Sequence, residues 1–307
     1  MSKFKKALDK AKLAREEISG PALNDQLAGA PSQSAPEEAP ALVITAKADA
    51  AALEARSLKV EAEPLIKKEP REEAPLEFLK KKPVTRLIEC EPLVLRRNKV
   101  ISICHENKTA DQIKILRAQV LEKLKDLTGN SLLITSPNPG AGKTFTSINL
   151  AISVAQEINR TTLLVDADLR KPSIHKYFGF QVEKGLAEYL LGQAEMADLL
   201  VNPGIPKLTI LPGGAPIINS SELLGAPRME TLVKEMKNRY SDRLLIFDTS
   251  SLLTSADPLV FSRFIDGVLL VVEAERTSNK QLKRAMELLR ERPVIGAVYN
   301  KVRAQYV

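Results

Sequence analysis

The stretch Ser131–Leu150, SLLITSPNPGAGKTFTSINL, constrains the fold more than any other part of this 307-residue chain. A short apolar run, Leu132-Leu133-Ile134, ends in a loop rich in Pro and Gly. Gly142-Lys143-Thr144 follows, and a helix-compatible segment then opens with Phe145 and Ile148. Strand, tight loop and helix in that order are the setting in which a phosphate-binding loop works. Gly140 and Gly142 let backbone N–H groups curl round an anion with no Cβ in the way. The first turn of the helix adds its own unpaired N–H groups and positive dipole end. Lys143 can then place a charge on the β- and γ-phosphates of ATP, and the Thr144 hydroxyl can hold Mg²⁺. Pro137 stands where the general P-loop pattern has its first Gly.

Further apolar runs recur along the chain, and several of them end in polar residues. Thr162-Leu163-Leu164-Val165 runs into Asp166-Ala167-Asp168-Leu169-Arg170, and Leu208–Leu211 into Pro212-Gly213-Gly214. Leu244–Phe247 runs into Asp248-Thr249. Val268–Val272 precedes a helical pattern at about Asn279–Arg290, and Val294–Val298 ends at Tyr299-Asn300. Short continuous apolar strands alternating with helices predict an α/β fold of the P-loop NTPase kind, a mostly parallel sheet with helices on both faces. In such sheets ligands sit at the carboxyl ends of the strands, which makes the residues there the site candidates. Asp248 has the form of the aspartate that orders Mg²⁺. Asp166 and Asp168 are one residue apart and on an extended strand face the same pocket. One would shape the metal's water shell and the other would orient or deprotonate an attacking hydroxyl. Arg170 would steady phosphate charge or pair with Asp168.

Upstream the composition changes. Residues 1–19 read as a basic amphipathic helix, with Phe4, Leu8, Ala11 and Ile18 near one face and lysines around them, suited to an anionic surface or a partner. Residues 20–97 are rich in Pro, Ala, Glu and Lys and read as a disordered tether, because such a segment buries too little apolar surface to offset its ordering entropy. The domain proper is expected over 98–307. It opens with a short extended piece at Val100–Ile103 and an amphipathic helix over Lys108–Leu127. The net charge of +7 is mild for this length and calls for no nucleic acid. The two cysteines, Cys90 and Cys104, lie outside metal-ligand spacing. No segment approaches the roughly 20 apolar residues that span a bilayer, so a cytoplasmic protein is expected, peripheral at most on the inner membrane face through a partner or the N-terminal helix.

These residues resemble the bacterial tyrosine kinases, a family on a P-loop ATPase fold unrelated to eukaryotic kinases. Ser136–Thr144 reads like that family's P-loop, Pro137 included. Leu163–Arg170 matches its second motif, three apolar residues followed by Asp-x-Asp-x-Arg. Lys171–His175, the Gly185–Gly192 stretch and Ser221–Leu224 are also similar, and the resemblance spans about residues 105–303. It implies an MgATP-dependent protein-tyrosine (auto)kinase with ATPase activity that regulates exopolysaccharide or capsule biosynthesis and export. Lys143, Asp166 and Asp168 would be catalytic. ATP would be held by Pro139, Gly140, Ala141, Gly142, Lys143, Thr144, Phe145, Arg170 and Asn300, and the metal by Thr144, Asp166 and Asp248. The implied partners are a polysaccharide chain-length or export membrane protein and further copies of the chain. Three positions depart from the family pattern. Ser250-Ser251 replaces Pro-Pro after Asp248. Asp111, Lys114 and Arg117 replace a Glu-x-x-Arg-x-x-Arg assembly motif. Only Tyr299 and Tyr306 stand near the C-terminal end, where the family has a tyrosine cluster. The alternative is an association switch like the partitioning and division-site ATPases. Those usually carry Lys where this chain has Asn138.

Overall fold

The computed structural model describes residues 85–103, 108–240 and 242–302. The expected helix at 1–19, the tether up to residue 84 and Tyr306 lie outside them. In chain order the elements are β1 (Arg86–Leu87), α1 (Pro92–Arg97), α2 (Lys108–Asp126), β2 (Ser131–Thr135), α3 (Lys143–Ala155) and β3 (Thr161–Asp166). There follow α4 (Ile174–Phe178), α5 (Leu186–Leu190), β4 (Val201–Asn202), β5 (Leu208–Leu211), α6 (Ser220–Leu224), α7 (Pro227–Arg239) and β6 (Arg243–Asp248). The last are α8 (Asp257–Phe261), β7 (Gly267–Glu273), α9 (Asn279–Leu288) and β8 (Val294–Asn300).

The eight strands form one sheet in the order β1-β4-β5-β3-β6-β2-β7-β8. Every pair is parallel except β4 with β5. The apolar runs are continuous because both faces of the sheet are covered. Along β2, Leu133 joins one core and Leu132 and Ile134 the other. Along β6, Leu245 and Phe247 face the first and Leu244 and Ile246 the second. Helices α5, α7, α8 and α9 close the first face, with Met229, Leu232, Phe261 and Leu289 buried in it. Helices α1 to α4 close the second, through Leu95, Val120, Ile148 and Phe178. Two-residue periodicity thus divides one hydrophobic strand between two cores.

The structure corrects two expectations. Order begins ahead of Asn98. Arg86-Leu87 pairs in parallel with Val201-Asn202 at the sheet edge, and α1 buries Leu95 against the second core. A two-residue strand carries no periodicity that could have marked it within a charged, proline-bearing stretch. Residues 101–103 form a 3₁₀ turn and not an extended piece, because the Asn149 side chain draws two successive amides inward, from Ile101 at 2.8 Å and Ser102 at 3.0 Å. The expected helix α2 forms, and the P-loop helix ends at Ala155 with Ile158 exposed beyond it.

Candidate functional site

The loop between β2 and α3 turns on two glycines in the left-handed region, Gly140 at φ 81° and Gly142 at φ 95°. A Cβ on Gly140 would meet no atom within 4 Å and would project into open space. A Cβ on Gly142 would lie 2.1 Å from Asn300 Nδ2. That side chain, at the end of β8, donates to the Ala141 carbonyl at 2.8 Å. Asn300 therefore braces the loop from outside. Ser136 Oγ donates to the Asn138 carbonyl at 2.6 Å, and the amides of Leu252 and Leu253 reach the carbonyls of Ser136 and Pro137 at 2.9 and 3.1 Å. At the Ser250-Ser251 departure, Ser250 Oγ is buried with no hydrogen-bond partner among the described residues. Thr135 Oγ1 donates to the Ser250 carbonyl at 2.8 Å, and the Ser251 and Thr254 hydroxyls share a 2.6 Å hydrogen bond. Asn138 Oδ1 accepts from Gln281 of α9 at 3.3 Å.

The two acidic strand ends come together because β3 and β6 are neighbours, with Asp166 directly beside Asp248 in register. Both are fully buried. Asp166 Oδ2 accepts from the amides of Ser173 and Ile174 at 2.8 and 2.9 Å, and Asp248 Oδ1 accepts from Ser147 Oγ at 3.0 Å. Burial pushes Asp166 up to about 8, and the Asp248 charge adds to the rise. Burial also pushes Asp248 up, to about 6, against the Thr144 hydroxyl and the Lys143 charge, which hold it down. Among the described residues, Asp166 Oδ1 and Asp248 Oδ2 are buried with no hydrogen-bond partner. An unpaired buried carboxylate oxygen is costly unless a proton or cation meets it. Hard oxygen donors beside a hydroxyl suit Mg²⁺. Thr144 fits this set, its Oγ1 lying 3.5 Å from Ser173 Oγ and near enough to Asp248 to lower its pKa.

Asp168 lies just past the strand and stays partly exposed. It accepts from the Lys171 amide at 3.2 Å, and burial raises its pKa while that amide and the Lys143 charge oppose the rise. Lys143 and Phe145 are half-buried at the start of α3, and Pro139 is exposed at the lip of the loop. One of the two roles expected of Arg170 is not seen: it does not pair with Asp168. Its Nε meets Ser220 Oγ at 3.1 Å and the fully buried Asp257 at 3.5 Å. Arg117, one of the three residues that stand in for the assembly motif, ties α2 to α3 through the Ser153 carbonyl at 2.8 Å and Glu157 at 2.8 Å. Sequence reasoning missed Ser147, the Ser173–Ile174 amides, Asn149 and Asp257. Only the position of Ser147, one helical turn after Lys143, offered a signal.

The family description "CobQ/CobB/MinD/ParA nucleotide binding domain" matches residues 132–306. Tyrosine-protein kinase YwqD of Bacillus subtilis is 31% identical over 208 residues, which are 67% of this chain and 86% of the relative. Tyrosine-protein kinase etk of Escherichia coli K12 is 31% identical over 198 residues, 64% of this chain but only 27% of the relative's length. Among solved structures, the kinase domain of Escherichia coli ETK is 28% identical with a TM-score of 0.63, covering 71% of this chain and 90% of that one. The chimerical protein CapA2B2 is 27% identical with a TM-score of 0.63, covering 72% and 94%.

Proposed function

Because the chain belongs to the bacterial tyrosine-kinase branch of the CobQ/CobB/MinD/ParA nucleotide-binding family, we propose that this site transfers the γ-phosphoryl group of ATP to a protein tyrosine. The observation that carries the reading is the pair of strand-end carboxylates, each with one buried oxygen unpartnered, set against Lys143 and Thr144. In the reaction the phenol oxygen bonds to the γ-phosphorus, the bond to the β–γ bridging oxygen breaks, and ADP leaves. The phenol proton passes to a carboxylate. Asp168 suits that role, being partly exposed at the mouth of the cleft and raised in pKa towards the working range of a general base. Lys143 offsets charge on the β- and γ-phosphates, and backbone amides of residues 139–145 cradle them. Asp166 fixes the turn at Ser173–Ile174 by accepting from both amides. Mg²⁺ held by Thr144 and Asp248, with Asp166 beside them, would neutralise phosphate charge and orient the transfer.

The acceptor is a tyrosine of another copy or of a partner. Tyr299, 63% exposed on the outermost strand, is the most exposed tyrosine of the described residues, ahead of Tyr240 at 37%. The family resemblance extends the reading to control of exopolysaccharide export through a membrane partner, with the chain peripheral to the membrane. Among the described residues no helix is long and apolar enough to cross one. The test is incubation with Mg²⁺ and γ-labelled ATP, alone and with a Glu/Tyr polymer, beside Lys143→Met. Label as phosphotyrosine, absent from Lys143→Met, is expected. Free phosphate with no phosphotyrosine on protein or polymer would favour the association-switch ATPase.

A further inference from the structure

Beyond the phosphate cradle lies a cavity of about 560 Å³ that opens on Gly140, Gly142 and Phe145. Its far wall comes from the segment ahead of the core domain, Arg97-Asn98-Lys99, and its flanks from Lys176, Tyr177 and Asn300-Lys301. Resting on the kinase reading, in which the nucleoside of ATP lies on this side of the P-loop beside Asn300, we propose that Arg97 and Lys99 are specificity residues for it, supplied by the strap N-terminal to the domain.

The wall is built into the fold. Asn98 Nδ2 donates to the carbonyls of Lys176 and Tyr177 at 2.9 and 3.1 Å, joining the strap to α4. Asn149, fully buried one turn after Phe145, accepts from the Ile101 and Ser102 amides and donates to the Lys99 carbonyl at 3.2 Å and the Phe145 carbonyl at 2.9 Å. Gln156 holds the Ser102 carbonyl at 2.8 Å. One face of the P-loop helix thus fixes the strap over the cradle that its own first turn forms. Asn149 is the positioning residue of this arrangement.

The rim is cationic and its backbone is unusual. Helix α1 ends with the Lys99 amide on the Arg96 carbonyl and the Val100 amide on the Leu95 carbonyl, at 3.0 and 2.9 Å. This places Lys99 in the left-handed position where Gly is the low-energy choice. Lys301, on the opposite rim, is also left-handed at φ 61°. A lysine kept where glycine would be less strained points to a use for its side chain. Lys301 pairs with Glu273 at 3.0 Å, whereas Arg97, Lys99 and Lys176 have no ion-pair partner among the described residues. A guanidinium and an ammonium beside the Tyr177 and Phe145 rings can stack on a purine face and donate to its ring nitrogens and ribose hydroxyls.

The test compares ATP with inorganic tripolyphosphate, each titrated calorimetrically with Mg²⁺ into the full chain, for wild type, Lys99→Gly and Arg97→Ala. Lys99→Gly relieves the left-handed strain, so its melting temperature should hold or rise and lost binding cannot be laid to unfolding. Each variant is expected to weaken ATP by roughly 3- to 10-fold, the scale of one cation–π or stacking contact, with tripolyphosphate affinity unchanged. Amide exchange over residues 95–103 should slow with ATP and not with tripolyphosphate. Unchanged ATP affinity, or equal weakening of both ligands, would overturn the role given to Arg97 and Lys99 while leaving the kinase reading intact. A wild type that binds tripolyphosphate and ATP equally well would also overturn it. A wild type that binds neither would remove the kinase reading and this inference together.

Discussion

Replacing Asp257 by Ala should cost the domain roughly 3–4 kcal/mol. Its carboxylate is fully buried and accepts from Ser220 Oγ at 2.7 Å and Ser221 Oγ at 2.6 Å. A hydrogen bond to a charged acceptor contributes about 1.5–3 kcal/mol, so the two together give roughly 3–6. The Arg170 contact is long, at 3.5 Å, and its side chain is 42% exposed, so solvent screening limits it to under about 1 kcal/mol. Half-buried Ser221 can rehydrate in the variant, which brings the total towards the lower end. For a domain of this size each kcal/mol moves the melting midpoint by about 2–4 °C, so scanning calorimetry should record a drop of roughly 6–15 °C. Asp257→Asn keeps one acceptor oxygen and should lose about half as much. Arg170, freed from its anchor near Asp168, should also lower the phosphotransfer rate in both variants. An Ala variant melting within about 2 °C of wild type would refute the reasoning, since it would mean that the cluster relaxes at no cost.

The two glycines of the cradle should separate binding from stability. Gly140→Ala, whose Cβ enters open space, should abolish ATP binding in a titration with only about 1 kcal/mol of backbone strain, whereas Gly142→Ala should also lower the melting point as its Cβ displaces Asn300. At the opposite end of the sheet burial alone would raise the Asp266 carboxyl. Hydrogen bonds from Lys237, Ser131 and the Asn130 amide outweigh it and hold the pKa below the ordinary value. A depressed folded-state pKa means that the stabilisation is present above the unfolded value of about 3.9 and is lost as pH falls through the folded one. Acid-unfolding curves of Asp266→Asn should therefore start less stable at pH 7 and converge on wild type below about pH 3; parallel curves down to that pH would contradict this.

Local chemistry made the centre of the site legible. A strand, two glycines and Lys143-Thr144 in sequence prescribe a phosphate cradle wherever they fold, and each apolar run with a terminal Asp marks a strand end. What remained hidden depends on which strands become neighbours. Ser147 and Asp248 are 101 residues apart and meet only because β6 inserts between β2 and β3. Asn149 reads as an unremarkable polar residue on a helix until the strap is laid across it. Asp257, in Ala-Asp-Pro, looks like a helix start, and nothing local tells that Arg170 will be turned towards it. The two residues of β1 form a strand only because β4 offers them an edge.

The central claim is that Asp168 accepts the phenol proton while the P-loop holds the nucleotide independently of it. The direct measurement is single-turnover phosphotyrosine formation by Asp168→Asn, with ATP affinity determined on the same protein. Transfer slowed by roughly 10²- to 10⁴-fold, the scale of general-base catalysis, with ATP affinity unchanged is the predicted result. Transfer at the wild-type rate with ATP still bound would contradict the account and move the proton acceptor elsewhere.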